Sequence, residues 1–411
     1  MQRILILGAG FAGLWAAAGA ARRLAQAKAL ADAVEVRVVD PRTVHSVRVR
    51  NYELDLAATT VPLADVFEPI GVQWLQGKAT RIDTARQEVQ VDTADGSRTL
   101  GYARLVVALG SRLLQPPIPG LAEHSFDVDS CEAAEKLRQH LAALPSQPDA
   151  PGRFSAVVVG AGLTGVEIAA ELPGRLAALA GGQNKARVIL MDHSTRIAHQ
   201  MGEAQPVIET AMQALGVELR PGVKLRRVTR AGLELEGGET IAASTVVWCG
   251  GMRAHPLVAQ LGLPGDRLDA FGRVPVDDCL RVEGVPGVYA AGDSACSLID
   301  GTNPTIMSCQ YARPMGRFAG HNAAADLLGE PLLPLRIDWY VTCVDLGPWG
   351  AVYTEGRERR LAAQGEQAKR TKRLINRERI PPPRTRERQQ ILDAAAPVVQ
   401  GAPPKHVAAA G

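Results

Sequence analysis

Two stretches of this chain combine glycines with a distant carboxylate in a spacing that could hold a dinucleotide. In AVVVGAGLTGVEIAAEL (156–172) an apolar, β-branched run precedes Gly160, Gly162 and Gly165, and an Ala/Glu/Leu-rich helical pattern follows. In this G-x-G-x-x-G arrangement the first glycine permits a tight turn, the second lets the backbone approach a pyrophosphate, and the third lets the helix pack on the strand. The unpaired N–H groups at the helix start would face the phosphates. The chain opens on the same unit, with an apolar run at Ile4 to Leu7 and then Gly8, Gly10 and Gly13. Each unit is followed by a strand-like run ending in an acid, EVRVVD at Asp40 and RVILMD at Asp192, where a carboxylate can bond ribose hydroxyls. Adding 152 to 8, 10, 13 and 40 gives 160, 162, 165 and 192. The chain therefore carries an internal repeat, and two dinucleotide-binding units are expected.

The elements that position these residues can be read around them. Alternating runs from Gly71 to Leu100 predict hairpin material about the turn Asp95-Gly96. An apolar strand at Leu105 to Ala108 ends in Gly110 and Ser111, and PPIPG (116–120) reads as a stiff crossover. A helix is expected over 124–144, then a Pro/Gly/Ser linker at 146–152 and the second unit, which closes with TVVWCGG (245–251). Asp293 follows an apolar strand and Gly292, where an acid can bond a polyol or ribose or simply make a turn or helix cap. Between Asp40 and the hairpins, His45, Arg48, Arg50 and Tyr52 fit either a solvated strand edge or a substrate-facing role.

At 411 residues, with 46% hydrophobic and 22% charged, the chain has the composition of an ordinary globular protein of two to three domains. No apolar run approaches the roughly 20 residues a membrane helix needs, so a cytoplasmic protein is expected. The six cysteines lie far apart, without C-x-x-C or metal-ligand spacing, which predicts reduced thiols, no metal and no redox disulfide. Between Glu355 and Asp393 stand twelve Lys/Arg against six Asp/Glu. That local +6, beside +3 for the whole chain, could serve an anionic lipid surface at the inner face of a membrane, an acidic protein partner, or only solvation of a helix. Nothing points to nucleic acid, a homodimer is an open arrangement, and the Ala/Pro/Gly-rich end (394–411) is expected to be disordered.

The motifs ILILGAGFAGL, VVALGSR, VVVGAGLTGVEIAAEL, TVVWCGGMRAHPL, GRVPVDDCLRVEGVPGVYAAGDSA and PTIMSCQYARPMG resemble those of flavoproteins with two dinucleotide-binding domains that oxidise NAD(P)H. Among these the chain is most similar to the type II NADH:quinone oxidoreductases. The resemblance implies an α/β fold of two Rossmann-like domains. A discontinuous FAD domain (1–120 and 274–335) would enclose an inserted NAD(P)H domain (121–273), with a basic C-terminal segment (336–393) and the tail beyond it. It implies FAD at Gly8, Gly10, Gly13 and Asp40, its ribityl chain at Asp293, and NADH, with NADPH as the alternative, at the second fingerprint.

The remaining candidate cofactor-binding residues are Phe11, Ala12, Pro41, Arg42, Ala108, Gly110, Leu163, Thr164, Gly250, Gly292 and Gln310. Glu167, two residues past the third glycine, is implied as the acid assisting electron transfer toward quinone; a first-turn glutamate favouring the helix dipole is the plainer reading. Gln310 is implied as its catalytic companion. The family's quinone signature resembles A-Q-x-A-x-Q-Q-G, and here the aligned residues are Cys309-Gln310-Tyr311-Ala312-Arg313-Pro314-Met315-Gly316. One glutamine is kept and two are replaced, and a basic segment stands where long members carry apolar membrane-surface helices. The expected function is hydride transfer from NADH to FAD and then electron transfer to a quinone or similar small acceptor. The alternatives are a reductase of a ferredoxin-like protein and an apoptosis-inducing-factor-like flavoprotein that signals its NAD(P)H state. Preference for NADH is expected from Asp192, whose charge repels a 2′-phosphate, against the opposing pull of His193 and Arg196.

Overall fold

The computed structural model describes residues 1–27, 33–182 and 185–406. The first repeat unit is built on a five-stranded, all-parallel sheet in the order Val288–Ala290, Arg104–Val107, Gln2–Leu7, Val34–Asp40, Gln73–Gln76. Both faces of such a sheet are covered, which is why Ile4, Leu5, Ile6 and Leu7 are all buried rather than alternating. The second unit repeats the plan with a four-stranded parallel sheet in the order Val217–Arg220, Arg187–Met191, Ser155–Val159, Thr245–Trp248. The mixed α/β class with parallel sheets expected from the sequence is thus present. One strand of the first sheet, Val288–Ala290, comes from beyond the second unit. The helix after it, Cys309–Leu327, lies along the first-unit helix Phe11–Ala27. Small residues permit that closeness: a Cβ on Gly316 would lie 2.2 Å from the Ala12 carbonyl oxygen, and one on Gly320 1.9 Å from that of Ala16.

The hairpin about Asp95-Gly96 is present, pairing Glu88–Thr93 with Gly96–Gly101. The helix expected over 124–144 is shorter. It runs Cys131–Ala143, because Ser130 caps it by accepting from the Ala133 N–H, and Phe126 instead pairs alongside Val247.

The C-terminal region differs most from expectation. Residues Val341–Asp345, Ala351–Glu355 and Arg360–Gln364 form an antiparallel sheet, followed by the helix Gly365–Leu374 and a wider π-type turn at Ile375–Arg379. Val344, Leu346 and Val352 join the core of the second unit, while Ile391 and Leu392 of the last helix join that of the first. Burying a side chain such as Leu392 contributes roughly 1.5–3 kcal/mol, enough to hold the segment down on both units. Its positive charge is largely spent internally: Arg386 pairs with Asp65 and Glu68, Arg384 donates to the Ala58 and Thr60 carbonyls, and Lys369 and Lys372 reach Asp345 and Glu167. The tail expected to be disordered is docked as far as Lys405. The Pro403 carbonyl accepts from Tyr353 (2.8 Å), that of Pro404 from Thr371 (2.9 Å), and Lys405 meets Glu355. Residues 407–411 lie outside the described residues.

Candidate active site

The two fingerprints superpose in chemistry as well as in number. Gly8 donates to the Val39 carbonyl and Gly160 to that of Met191, both at 2.8 Å. A Cβ on Gly13 would lie 1.8 Å from the Gly8 carbonyl oxygen, and one on Gly165 1.8 Å from that of Gly160, so the third glycine is a packing requirement in both units. A Cβ on Gly10 or Gly162 would meet nothing within 4 Å. That open space beside a helix start is the cradle a pyrophosphate needs. Asp40 accepts from the Ala9 N–H (2.7 Å) and the Arg42 N–H (2.8 Å); Asp192 accepts from those of Ala161 (2.7 Å) and Ser194 (2.8 Å). Each acid thereby braces its own glycine turn and keeps lone pairs for a further donor. Burial raises the Asp40 carboxyl despite the two N–H donors, whereas at Asp192 the same burial is outweighed by its donors and the carboxyl is lowered.

A cavity of about 580 Å³ opens over the first fingerprint, a size suited to a large cofactor. Its walls include Gly8, Gly10, Phe11, Ala12, Asp40, Pro41, Arg42, Ala108, Gly110, Gly292, Asp293 and Gln310, together with Leu163, Thr164 and Glu167 from the second-unit helix. Among the predicted residues, Gly13, Gly160, Gly162, Gly165, Asp192 and Gly250 are not part of this lining. Gly250 has a packing reason, since its Cβ would lie 2.0 Å from the Trp248 ring. Asp293 accepts from the Ser111 hydroxyl at 2.6 Å, with Arg48 3.9 Å away. Gln310 spans the start of the C-terminal sheet, donating to the Trp339 carbonyl (3.2 Å) and accepting from the Val341 N–H (3.3 Å). The open cradle, the paired ribose-type acid and Asp293 fit an FAD along this cavity.

At the end of the cavity where the units meet, Glu167 is buried and its Oε1 lies 2.6 Å from Lys372 Nζ. Glu167 also accepts from the Asp345 N–H at 3.1 Å, and Lys372 donates to the Cys343 carbonyl at 2.8 Å. Asp345 in turn holds Lys369 and accepts from the Tyr52 hydroxyl at 3.2 Å. Burial pushes the Glu167 carboxyl above its ordinary range against the pull of Lys372. Burial pulls the Lys372 ammonium down, but the Glu167 carboxylate more than offsets it and holds the ammonium up. Sequence reasoning named Glu167 but missed Lys372, Asp345 and Lys369. The available signal was the spacing Ala368, Thr371, Lys372, which puts one lysine of a basic helix on its buried face.

The segment after Asp40 is neither a solvated edge nor wholly substrate-facing. Residues 48–50 form a tight helical turn; Arg48 and Tyr52 line the cavity, whereas Arg50 is buried and paired with Glu53. His45 is 1% exposed and its Nδ1 lies 3.0 Å from the Ala9 carbonyl oxygen inside the first fingerprint. Burial, foremost, lowers its pKa to about 4. Because the unfolded chain takes up a proton near the ordinary 6.5 and the folded one does not, stability is full above pH 6.5 and falls toward pH 4. His45 contributes up to roughly 3 kcal/mol to that fall. Unfolding free energies of wild type and His45→Gln should therefore differ in slope on the acid side: the variant loses the His45 share of the decline, and an unchanged slope would remove His45 as its source.

All six cysteines are free, and burial pushes those of Cys249 and Cys343 up to about 12, far from a thiolate at neutral pH. Among the described residues no helix is long and apolar enough to cross a membrane.

The chain is 50% identical over 406 residues to a NADH dehydrogenase-like protein of Mycobacterium tuberculosis, covering 98% of this chain and 100% of that one. It is 29% identical to the demethylphylloquinone reductase of Synechocystis, covering 85% and 86%. The NDH2 of Plasmodium falciparum, solved with NADH, shares the fold with a TM-score of 0.75 at 12% identity, over 96% and 97% of the two chains. Residues 2–316 match the model of one family, described as pyridine nucleotide-disulphide oxidoreductase. The chain belongs to that family, as an FAD-binding, NADH-dependent oxidoreductase whose cysteines are unpaired.

Proposed function

We propose that this enzyme passes electrons from NADH to a quinone, with the FAD domain at 1–120 and 274–335 and the NADH domain at 121–273. The observation that carries this reading is the buried Glu167–Lys372 pair at the wall of the cavity that the first fingerprint and Gln310 also line. Bound FAD supplies the two-electron chemistry between the nicotinamide and the acceptor. Gly10, Asp40 and Asp293 bind it, and Gln310 fixes the wall beside it. Quinone reduction takes up protons, and Glu167 Oε1, raised by burial yet held against an ammonium, can carry and release one. Lys372 and Asp345 set its position.

A protein acceptor docked through 355–393 is less well supported, since Arg384, Arg386, Lys369 and Lys372 are engaged within the chain. Anaerobic reduction by NADH followed by mixing with quinones and with a ferredoxin-like protein separates the readings. Quinone should reoxidise the flavin at a rate little affected by salt, and a steep salt dependence with only the protein acceptor active would replace this proposal.

The same reading assigns NADH preference to Asp192. Of its two rivals, Arg196 is held by the Gln205 side chain, while His193 lies 3.3 Å from Asp192 Oδ1, and the other carboxylate oxygen is the one to meet the ribose. NADH should exceed NADPH in kcat/KM for flavin reduction by roughly ten- to hundredfold, or about 1.4–2.8 kcal/mol. Asp192→Ala should narrow the ratio; an unchanged ratio would move selection to the basic residues of the loop.

A further inference from the structure

Four arginines of the described chain are buried: Arg50, Arg273, Arg313 and Arg317. Arg50 is paired with Glu53 and Arg273 with Asp269. Arg313 and Arg317, 8% and 4% exposed, have no carboxylate partner among the described residues. Arg313 makes one long contact, Nη2 to the Gln400 side-chain oxygen at 3.5 Å, and the Nε atoms of both arginines have no hydrogen-bond partner. Their guanidinium carbons lie 5.6 and 4.4 Å from the Trp15 ring centroid. Burial lowers Arg313 to about 9 and Arg317 to about 10, so both remain cations at neutral pH.

A buried, uncompensated cation is costly, and two a helical turn apart are costlier. Both line the cavity, three and seven residues beyond Gln310, and so share its face of the helix. The pyrophosphate has its own provision at Gly10 and the first helix start, so the arginines are surplus to it. The C-terminal segment reaches Arg313 through Gln400 and walls the same cavity with Trp339, Ile375, Ile380 and Val399, and the indole N–H of Trp339 is another buried donor without a partner. An occupant must therefore present both an apolar ring and an anion.

Resting on the quinone reading above, we propose that the acceptor is a quinone bearing a carboxylate, its ring among the apolar residues of the C-terminal wall and its carboxylate on Arg313 and Arg317. Guanidinium and carboxylate match in charge and in paired geometry. The quinone ring gains two electrons and two protons to become the quinol, NADH is oxidised to NAD⁺ with release of its hydride, the second proton comes from solvent, and the carboxylate is unchanged.

The test compares 2-methyl-1,4-naphthoquinone-3-propanoate with its methyl ester as acceptors of the holoenzyme under anaerobic conditions with NADH. The acid should exceed the ester in kcat/KM by at least about tenfold, also at high salt because buried charges are screened little. Arg313→Met and Arg317→Met should each cut that ratio at least about tenfold, the size of one charge-assisted contact, with FAD content and flavin reduction by NADH unchanged. Arg317→Lys should restore part of it. A wild-type ratio near one, which needs no variant to fold, overturns the proposal, as does a ratio unmoved by the substitutions. Loss of FAD from both the Met and Lys variants would assign the arginines to the cofactor and overturn it too. Turnover of the ester with a flat ratio leaves the quinone reading standing, whereas failure of both compounds to reoxidise the flavin removes both readings.

Discussion

Gly10→Val is expected to give a folded but colourless protein. The position lies outside the left-handed backbone region, and a Cβ there would meet nothing within 4 Å, so the chain gives a side chain no steric reason to unfold. What the isopropyl group would fill is the open space against the start of the Phe11–Ala27 helix, the space a pyrophosphate needs. The contrast is Gly13→Val, whose Cβ would stand 1.8 Å from the Gly8 carbonyl oxygen and cannot be placed without parting helix from strand. Gly10→Val should lose flavin absorbance while keeping its cooperative unfolding; Gly13→Val should lose several kcal/mol of stability, as overpacking against backbone does. A yellow Gly10→Val protein would mean that the flavin lies elsewhere.

The second large effect is expected at the Glu167–Lys372 pair. Removing only the lysine, as in Lys372→Met, strands a buried carboxylate and should cost about 3–5 kcal/mol. With its ammonium gone the Glu167 carboxyl rises further, so the folded state binds a proton that the unfolded state has already released, and the variant should lose stability as pH rises. Glu167→Gln should cost less, and the double variant should recover part of the loss. In kinetics, Glu167→Gln should slow reoxidation by quinone by about 10²-fold, the lower range for a positioned proton donor, while reduction by NADH changes little. Stopped-flow traces of the two half-reactions check this; equal slowing of both would leave Glu167 a structural residue.

The repeat was legible because its constraints are local. A close helix–strand contact demands glycine at 13 and 165, and an acid closing the next strand braces the turn, so spacing alone reports both units. Lys372 was not legible because its partner lies about two hundred residues earlier in the chain, and a basic run reads as solvated charge until the buried face of its helix is known. Arg313 was visible only as a departure from a glutamine-rich motif. The tail misled for a related reason: Ala, Pro and Gly cannot build a core of their own, yet the carbonyls of Pro403 and Pro404 still accept from Tyr353 and Thr371. Composition measures self-sufficiency, whereas this tail is held by a surface made elsewhere.

The salt link between Glu167 on the second-unit helix and Lys372 on the segment that walls the cavity has a thermodynamic consequence. The second repeat unit and the C-terminal wall of the cavity share one buried charge pair, so a ligand that shifts the helix bearing Glu167 also changes the energy of the wall. Reciprocity then applies: whatever factor NAD⁺ or NADH imposes on acceptor affinity, the acceptor must impose on the affinity for that nucleotide. Under the quinone reading the two sites would in that way be read as one binding polynomial, with the Glu167–Lys372 pair as its coupling term.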